Sequence, residues 1–261
     1  MASVRKLVGK LSMCVALTAT LGCSKPFVKK DNLVESSLFP AFGQEVERVS
    51  KDVSVVMLGT NHDYPWVSVG KVYVALPILK KKGFKHVMLE CEKRFNPLVK
   101  EYYKTGNPAP LTLALTLNYK TSIRAMYMTI KRARELNMEA RCIDNQGNLE
   151  DSTNITEEMF RKRDVYMAKK IGEVVERHGK VVALLGMLHT MPYREEETVR
   201  IMGKEYSTKT AARILVERYG KSSIMPIYLM YDYGKQRYLT DEEAREVSSR
   251  VIEWIKHLYS Q

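Results

Sequence analysis

One short frame is written twice in this chain. Val55-Val56-Met57-Leu58-Gly59-Thr60-Asn61-His62-Asp63-Tyr64-Pro65-Trp66 and Val182-Ala183-Leu184-Leu185-Gly186-Met187-Leu188-His189-Thr190-Met191-Pro192-Tyr193 share a pattern: an apolar run, a glycine, two residues, a histidine, two residues, a proline and an aromatic ring. Between them Glu90 closes a further apolar run, His86-Val87-Met88-Leu89. Two imidazoles and a carboxylate support two kinds of chemistry. As metal ligands, His62, Glu90 and His189 would hold Mn, Co or Zn and leave open positions where water is bound and acidified. Without a metal, one histidine would deprotonate water while Glu90 sets its tautomer and raises its basicity. The residues alone leave both routes open. Either histidine taken singly reads as a helix cap or a turn partner; the repeated frame makes the pair a candidate site.

The elements that must position these residues follow from the hydrophobic pattern. Apolar runs at Asp52–Leu58, His86–Leu89, Glu139–Ile143 and Val181–Leu185 read as buried strands, and amphipathic stretches between them as helices. Pro65 and Trp66 open a helix that ends at Gly83, with Pro77 predicting a kink or an early end. Asn96 and Pro97 start a helix to about Lys104, the state of Leu111–Asn118 is undetermined, and Ser122–Leu136 is a strong helix. Asn154, with Glu157 three residues on, caps a long helix to about Arg177. Ser207–Tyr219 is helical, Ile224–Tyr231 and Lys235–Leu239 read as a hairpin, and Thr240 with Glu243 is the capping box of a last helix to Tyr259. This alternation predicts an α/β fold: a mainly parallel central sheet flanked by helices, with a mixed C-terminal hairpin edge.

In such a sheet, ligands sit beyond the carboxyl ends of the strands. His62, Glu90, Asp144 and His189 each follow one of the first four predicted strands, and the glycines let the backbone turn sharply there. Asp63 and Glu92 are supporting carboxylates or simply solvated. Arg163 and Arg124 begin helices near these ends and would pair with Glu90 or clamp an anionic substrate group. Tyr64, Trp66 and Tyr193 flank the histidine loops, as a stacking wall or as helix-to-sheet packing. Asp144 and Tyr64 join Arg124 as candidate substrate-binding residues. His86, His178 and His257 are assigned to structure.

Residues 1–22 read as a secretory leader: Arg5, Lys6 and Lys10 precede an apolar run, Leu11 to Leu21, that is too short to span a bilayer, and Gly22-Cys23 closes it. Cys23 resembles a bacterial lipoprotein processing site and would carry the lipid; plain secretion with cleavage near Gly22 is the other reading. Residues 23–50 form a tether and N-terminal segment, and residues 51–261 a single α/β domain. Removing Arg5, Lys6 and Lys10 lowers the formal charge from +12 to +9. The remaining cations are spread over helical faces, so no nucleic-acid partner is expected. The four cysteines include no CxxC pair, which excludes zinc ribbons and thioredoxin chemistry. Cys91 and Cys142 lie in or just after strand-like runs and are either buried thiols or a disulfide of an oxidising compartment.

Gly59-Thr60-Asn61-His62, Glu90 after Val87-Met88-Leu89, and Gly186-Met187-Leu188-His189 together resemble the superfamily that groups erythromycin esterase, the haem-binding lipoprotein ChaN, the TraB/PrgY/GumN proteins and the Tiki proteases. The stretch from Arg163-Asp164 to Ile171 resembles that family's Arg-Asn/Asp helix before the second histidine. The resemblance runs from about Val53 to His189. It implies a hydrolase of peptide or ester bonds in which His62, Glu90, His189, Arg163 and Asp164 form the catalytic set, with a divalent metal on the two histidines and Glu90 in some members. Asn61 and Leu188 sit where members vary. A lipid-anchored single-domain form is most like ChaN or a compact Tiki/GumN-like protein, on the periplasmic or surface face of a bacterial membrane, the outer membrane by the residue after Cys23. The same resemblance implies an alternative, a haem- or other ligand-binding lipoprotein in which Tyr64, Tyr102 or Tyr103 coordinates iron.

Overall fold

In a computed structural model of the chain, residues 39–118, 123–145, 156–192, 199–201, 204–206 and 209–260 are described. The leader, Cys23, the polar tether, Asn154 and Tyr193 lie outside them. Five parallel strands make the central sheet: β1 (Val55–Thr60), β2 (His86–Glu92), β3 (Glu139–Asp144), β4 (Val181–Gly186) and β7 (Ile224–Tyr228). Their order is β3-β2-β4-β1-β7. The chain steps outward from β1 to β2 and β3, leaving a slot that β4 later fills. That insertion makes the ends of β2, β4 and β1 direct neighbours.

Side chains alternate across a strand, and here the alternation divides the core in two. Val56, Leu58, Val182 and Leu184 face one apolar cluster, while Val55, Met57, Val181, Ala183 and Leu185 face the other. Over the first cluster lie α1 (Pro40–Val49), α2 (Pro65–Lys81), α3 (Asn96–Thr105), α4 (Ala109–Asn118), α5 (Ile123–Glu135) and, at the C-terminus, a helix over Asp241–Ser260. Over the second lie α6 (Glu157–His178) and a helix over Ala211–Tyr219. Strands buried on both faces must be apolar throughout, which is why these runs show no polar alternation. A helical turn, α7 (Met187–Thr190), follows β4 directly; α8 is then Ala211–Tyr219 and α9 Asp241–Ser260.

The predicted architecture is present, with local differences. Residues 51–261 are too short a unit, because α1 buries Phe42, Val46 and Val49 at helical spacing in the core. Helix α2 does not end at Pro77 but continues to Lys81; it is almost wholly buried, so packing sustains it past the missing N–H. Asn96 does not cap α3. Its amide donates to the Cys142 carbonyl at 2.9 Å and accepts the Cys142 N–H at 2.8 Å, pinning the helix to edge strand β3. The α6 cap is Thr156, which accepts the Met159 N–H. The hairpin forms a separate two-stranded sheet, β8 (Tyr231–Asp232) with β9 (Arg237–Tyr238), and another short pair is β5 (Val199–Ile201) with β6 (Lys204–Tyr206). The capping box forms as read, the Thr240 N–H donating to Glu243 at 3.0 Å and the Glu243 N–H to the Thr240 hydroxyl at 3.3 Å. His86 stacks on His178 with ring centroids 4.2 Å apart, at the start of β2 and away from the carboxyl edge.

Candidate active site

Gly186 shows where the pieces meet. A Cβ built on it would lie 3.2 Å from Glu90 Oε2, 3.3 Å from His62 Nε2 and 3.6 Å from His189 Cδ2. The two histidines and the carboxylate therefore converge over one glycine, in the space a side chain would fill. Gly59 is needed for the same reason at another contact: its Cβ would meet the Thr190 hydroxyl at 2.6 Å. Neither glycine is among the residues with positive φ, so both act by leaving room and not by conformational freedom.

Glu90 is aimed by an irregularity in the sheet. Leu89 pairs with Cys142 but Glu92 with Asp144, three steps of β2 against two of β3. Bulges of this kind re-aim a side chain near active sites. The Cys91–Cys142 disulfide crosses at this place, with Cα atoms 4.8 Å apart, so the disulfide is the alternative the chain adopts. By closing a loop with a sequence separation of 51, it contributes roughly 4 kcal/mol in the chain-entropy picture.

Helix α6 supplies the next layer from two adjacent residues. Arg163 Nη2 lies 2.7 Å from Glu90 Oε1 and 2.7 Å from Asp144 Oδ2, and Arg163 Nε donates to Asp144 Oδ2 at 2.8 Å. Asp164, pointing another way around the helix, meets His189 Nδ1 at 2.8 Å and accepts the Ala211 N–H at 2.7 Å. His189 Nε2 lies 3.5 Å from Glu90 Oε1, and the Gly186 N–H donates to Glu90 Oε2. Three carboxylates and two cations thus form one buried network that ties β2, β3, β4, α6 and α8 together. Buried charges persist when paired and hydrogen-bonded in this way.

The network fixes protonation. Burial alone would push the Glu90 carboxyl up, but the charges of Arg163 and His189 overcome it and hold it well below the usual carboxylate range. Burial alone would lower the His189 imidazole; the Asp164 and Glu90 carboxylates outweigh that and raise it to about 10. Arg163 is likewise held more firmly charged by Glu90 and Asp144 against its burial. His189 is 5% exposed and sits inside the network, whereas His62 is exposed.

The other predicted site residues divide accordingly. Asp144 is buried against Arg163, whose guanidinium lies between it and Glu90. Tyr64 packs beside Val67, Met230 and Ala244 and hydrogen-bonds Asp241, so the turn into α2 directs it to α9. Arg124 lies in the first turn of α5. Asp63 is exposed and Glu92 pairs with Arg94. Tyr102 is buried in the core, and the Tyr103 hydroxyl donates to the Met138 carbonyl at 2.8 Å. Gly186 as a floor for the site, and Ser68 in a cavity wall with His62 and Glu90, become visible only from the tertiary arrangement.

As a metal site the arrangement fits poorly. Both Glu90 oxygens are engaged by cations and a backbone N–H, and both His189 nitrogens face carboxylates, so a metal would have to displace these contacts to be ligated here. Among the described residues no group of three or more His, Cys, Asp or Glu side chains is arranged to hold a metal ion.

Fold and site together define an open parallel α/β protein with a charged His/Glu/His cleft at the carboxyl edge of its sheet. No family model matches the chain, and no curated protein matches it. Among solved structures it is similar to the type III effector HopBA1, with a TM-score of 0.50 and 12% identity over 72% of this chain and 81% of that one. RRSP, a MARTX toxin effector domain from Vibrio vulnificus, has a TM-score of 0.45 and 17% identity over 82% of this chain and 43% of that one. A bacterial protein toxin structure gives 0.47 and 15% over 79% and 41%. At these identities the likeness concerns the fold.

Proposed function

We propose that this chain is an exported hydrolase that cleaves a peptide or ester bond at the His62, Glu90 and His189 cleft, with water activated directly by the side chains. The observation that carries this reading is the convergence of all three over Gly186. His62, the exposed imidazole, takes a proton from water as the water attacks the carbonyl carbon, and returns it to the leaving group when the bond breaks. Glu90, kept ionised beside it, orients His62. His189, a fixed cation between Asp164 and Glu90, keeps Glu90 ionised and in place. Arg163, Asp144 and Asp164 hold Glu90 and His189 in place.

Export is supported by the leader pattern and by the Cys91–Cys142 disulfide, a bond that oxidising compartments preserve. Cys23 would anchor the mature chain to the bacterial membrane, so Cys23→Ala should move it from the membrane fraction to the soluble one. No helix among the described residues is long and apolar enough to cross a membrane.

The test is turnover of a panel of fluorogenic peptides and p-nitrophenyl esters by the purified mature protein. Wild type should cleave at least one, with EDTA leaving the rate unchanged, and His62→Ala or His189→Ala should abolish it. Full activity in both variants overturns the reading. Loss with EDTA and recovery with Mn, Co or Zn would restore the metal-dependent route.

A further inference from the structure

Helix α2 leaves the first histidine frame at Pro65 and presents Ser68 to the site. Ser68 is 2% exposed, and its Oγ has no hydrogen-bond partner among the described residues. Other helical hydroxyls in this chain behave differently: Thr116, Thr129 and Ser248 each donate to the carbonyl four residues earlier. A buried hydroxyl left unpaired costs stability, so its persistence points to a ligand that completes it.

Ser68 lines a small cavity of about 40 Å³ whose wall also carries His62 and Glu90. Its remaining wall is largely apolar, with Leu89, Met126 and Leu184. One water needs roughly 10–15 Å³ by the same measure, whereas pockets for drug-sized ligands run to about 300–1,000 Å³. The cavity therefore admits only a short group, and it opens beside the residues that would carry out the hydrolysis.

We propose that Ser68 sets substrate specificity: the cavity receives a short substituent next to the scissile bond, of about four non-hydrogen atoms or fewer, ending in a hydroxyl or carboxamide that hydrogen-bonds Ser68 Oγ. The inference rests on the hydrolase reading above and names the class of substrate it acts on. Apolar walls accept the stem of such a group, and the single hydroxyl discriminates its tip, since a site built around a hydrogen bond rejects the analogue that lacks it.

The experiment compares wild type with Ser68→Ala on peptide and ester substrates that differ only at that substituent: serine against 2-aminobutyrate, threonine against valine, asparagine against leucine, placed on either side of the scissile bond. In wild type, kcat/KM should favour the polar member of at least one pair by roughly 5–10-fold, the effect of one neutral hydrogen bond. Ser68→Ala should collapse that ratio to near one by slowing the polar member, with the aliphatic member cleaved at least as well as before and thermal stability equal or higher. An unchanged ratio in the variant, or no polar preference in wild type, overturns the proposal. The same pairs as uncleavable acetyl amino acid amides, titrated by NMR, separate this from failure of the hydrolase reading. If no substrate is cleaved yet acetylserine amide shifts the signals of Ser68, Leu89 and Met126 in wild type, and Ser68→Ala loses that shift, the ligand cavity stands and the chemistry does not. If neither amide shifts them, the cavity assignment fails.

Discussion

The two Gly-x-x-His frames lie on neighbouring strands and end in opposite environments. Thr60 pairs with Gly186, so the frames are offset by one residue. In the first, the Asn61 side chain accepts the Asp63 N–H at 2.8 Å, a local turn that competes with helix. No helix begins until Pro65, and His62 stays exposed. In the second, Leu188 takes the place of Asn61. The chain enters α7 directly after Gly186, Thr190 donates to the Met187 carbonyl at 2.7 Å, and His189 is drawn inside. A few residues around each histidine separate a turn from a helical turn. A repeat in sequence has become a division of labour, with an accessible base on one strand and a buried cation on the next.

That division is most sharply broken at the two histidines. His189→Ala should remove turnover and also destabilise the fold by about 3–5 kcal/mol, because Asp164 would be left buried with its charge partner gone. His62→Ala should cost about 10²–10⁴ in rate with thermal stability unchanged. Activity assays paired with calorimetry on both variants check this. Equal stability loss in the two would mean that the histidines are equivalent after all.

The difference between the histidines was not legible before the fold, although much else was. Strands buried on both faces must be apolar runs with polar residues only at their ends, so His62, Glu90, Asp144 and His189 were visible as strand-end residues. Their partners were not. Arg163 reaches Glu90 and Asp144 together only because β2 and β3 are adjacent, and His62 meets Glu90 only because β4 brings Gly186 between them. Strand order is a tertiary choice that local pattern does not encode. The placing of Tyr64 shows the same limit: an aromatic ring beside a histidine loop can turn to either side of its helix, and here α9 lies on the side it takes. Helix α1 was readable from the spacing of Phe42, Val46 and Val49 and was passed over because it follows the tether.

The glycines extend the comparison at a smaller amplitude. Gly186→Ala places a methyl against Glu90 and His62 side chains, which can shift only by leaving their working positions. The expected result is a rate loss of about 10²-fold with little change in stability. Gly59→Ala meets the Thr190 hydroxyl at 2.6 Å and has Met187 backbone behind it at 3.4 Å, so it should lower stability by about 1–3 kcal/mol. Measuring kcat/KM and Tm for both variants distinguishes the floor of the site from a packing contact beneath it.

A further effect is one of pH, and it isolates the buried histidine. His189 is raised from 6.5 to about 10 in the folded protein, so between those values the native state holds a proton that the unfolded chain has released. Stability from this ion pair is then fully present below pH 6.5 and is lost as pH rises through about 10. Glu90 acts in the opposite sense: its contribution is present above the ordinary carboxylate range and is lost as pH falls below it towards its lowered folded value. Urea unfolding of wild type across the alkaline range should therefore show a declining free energy that His189→Gln flattens and His62→Gln leaves in place. A slope that survives His189→Gln would mean that Asp164 and Glu90 do not hold a charged imidazole, and the electrostatic half of the proposed division of labour would fall with it.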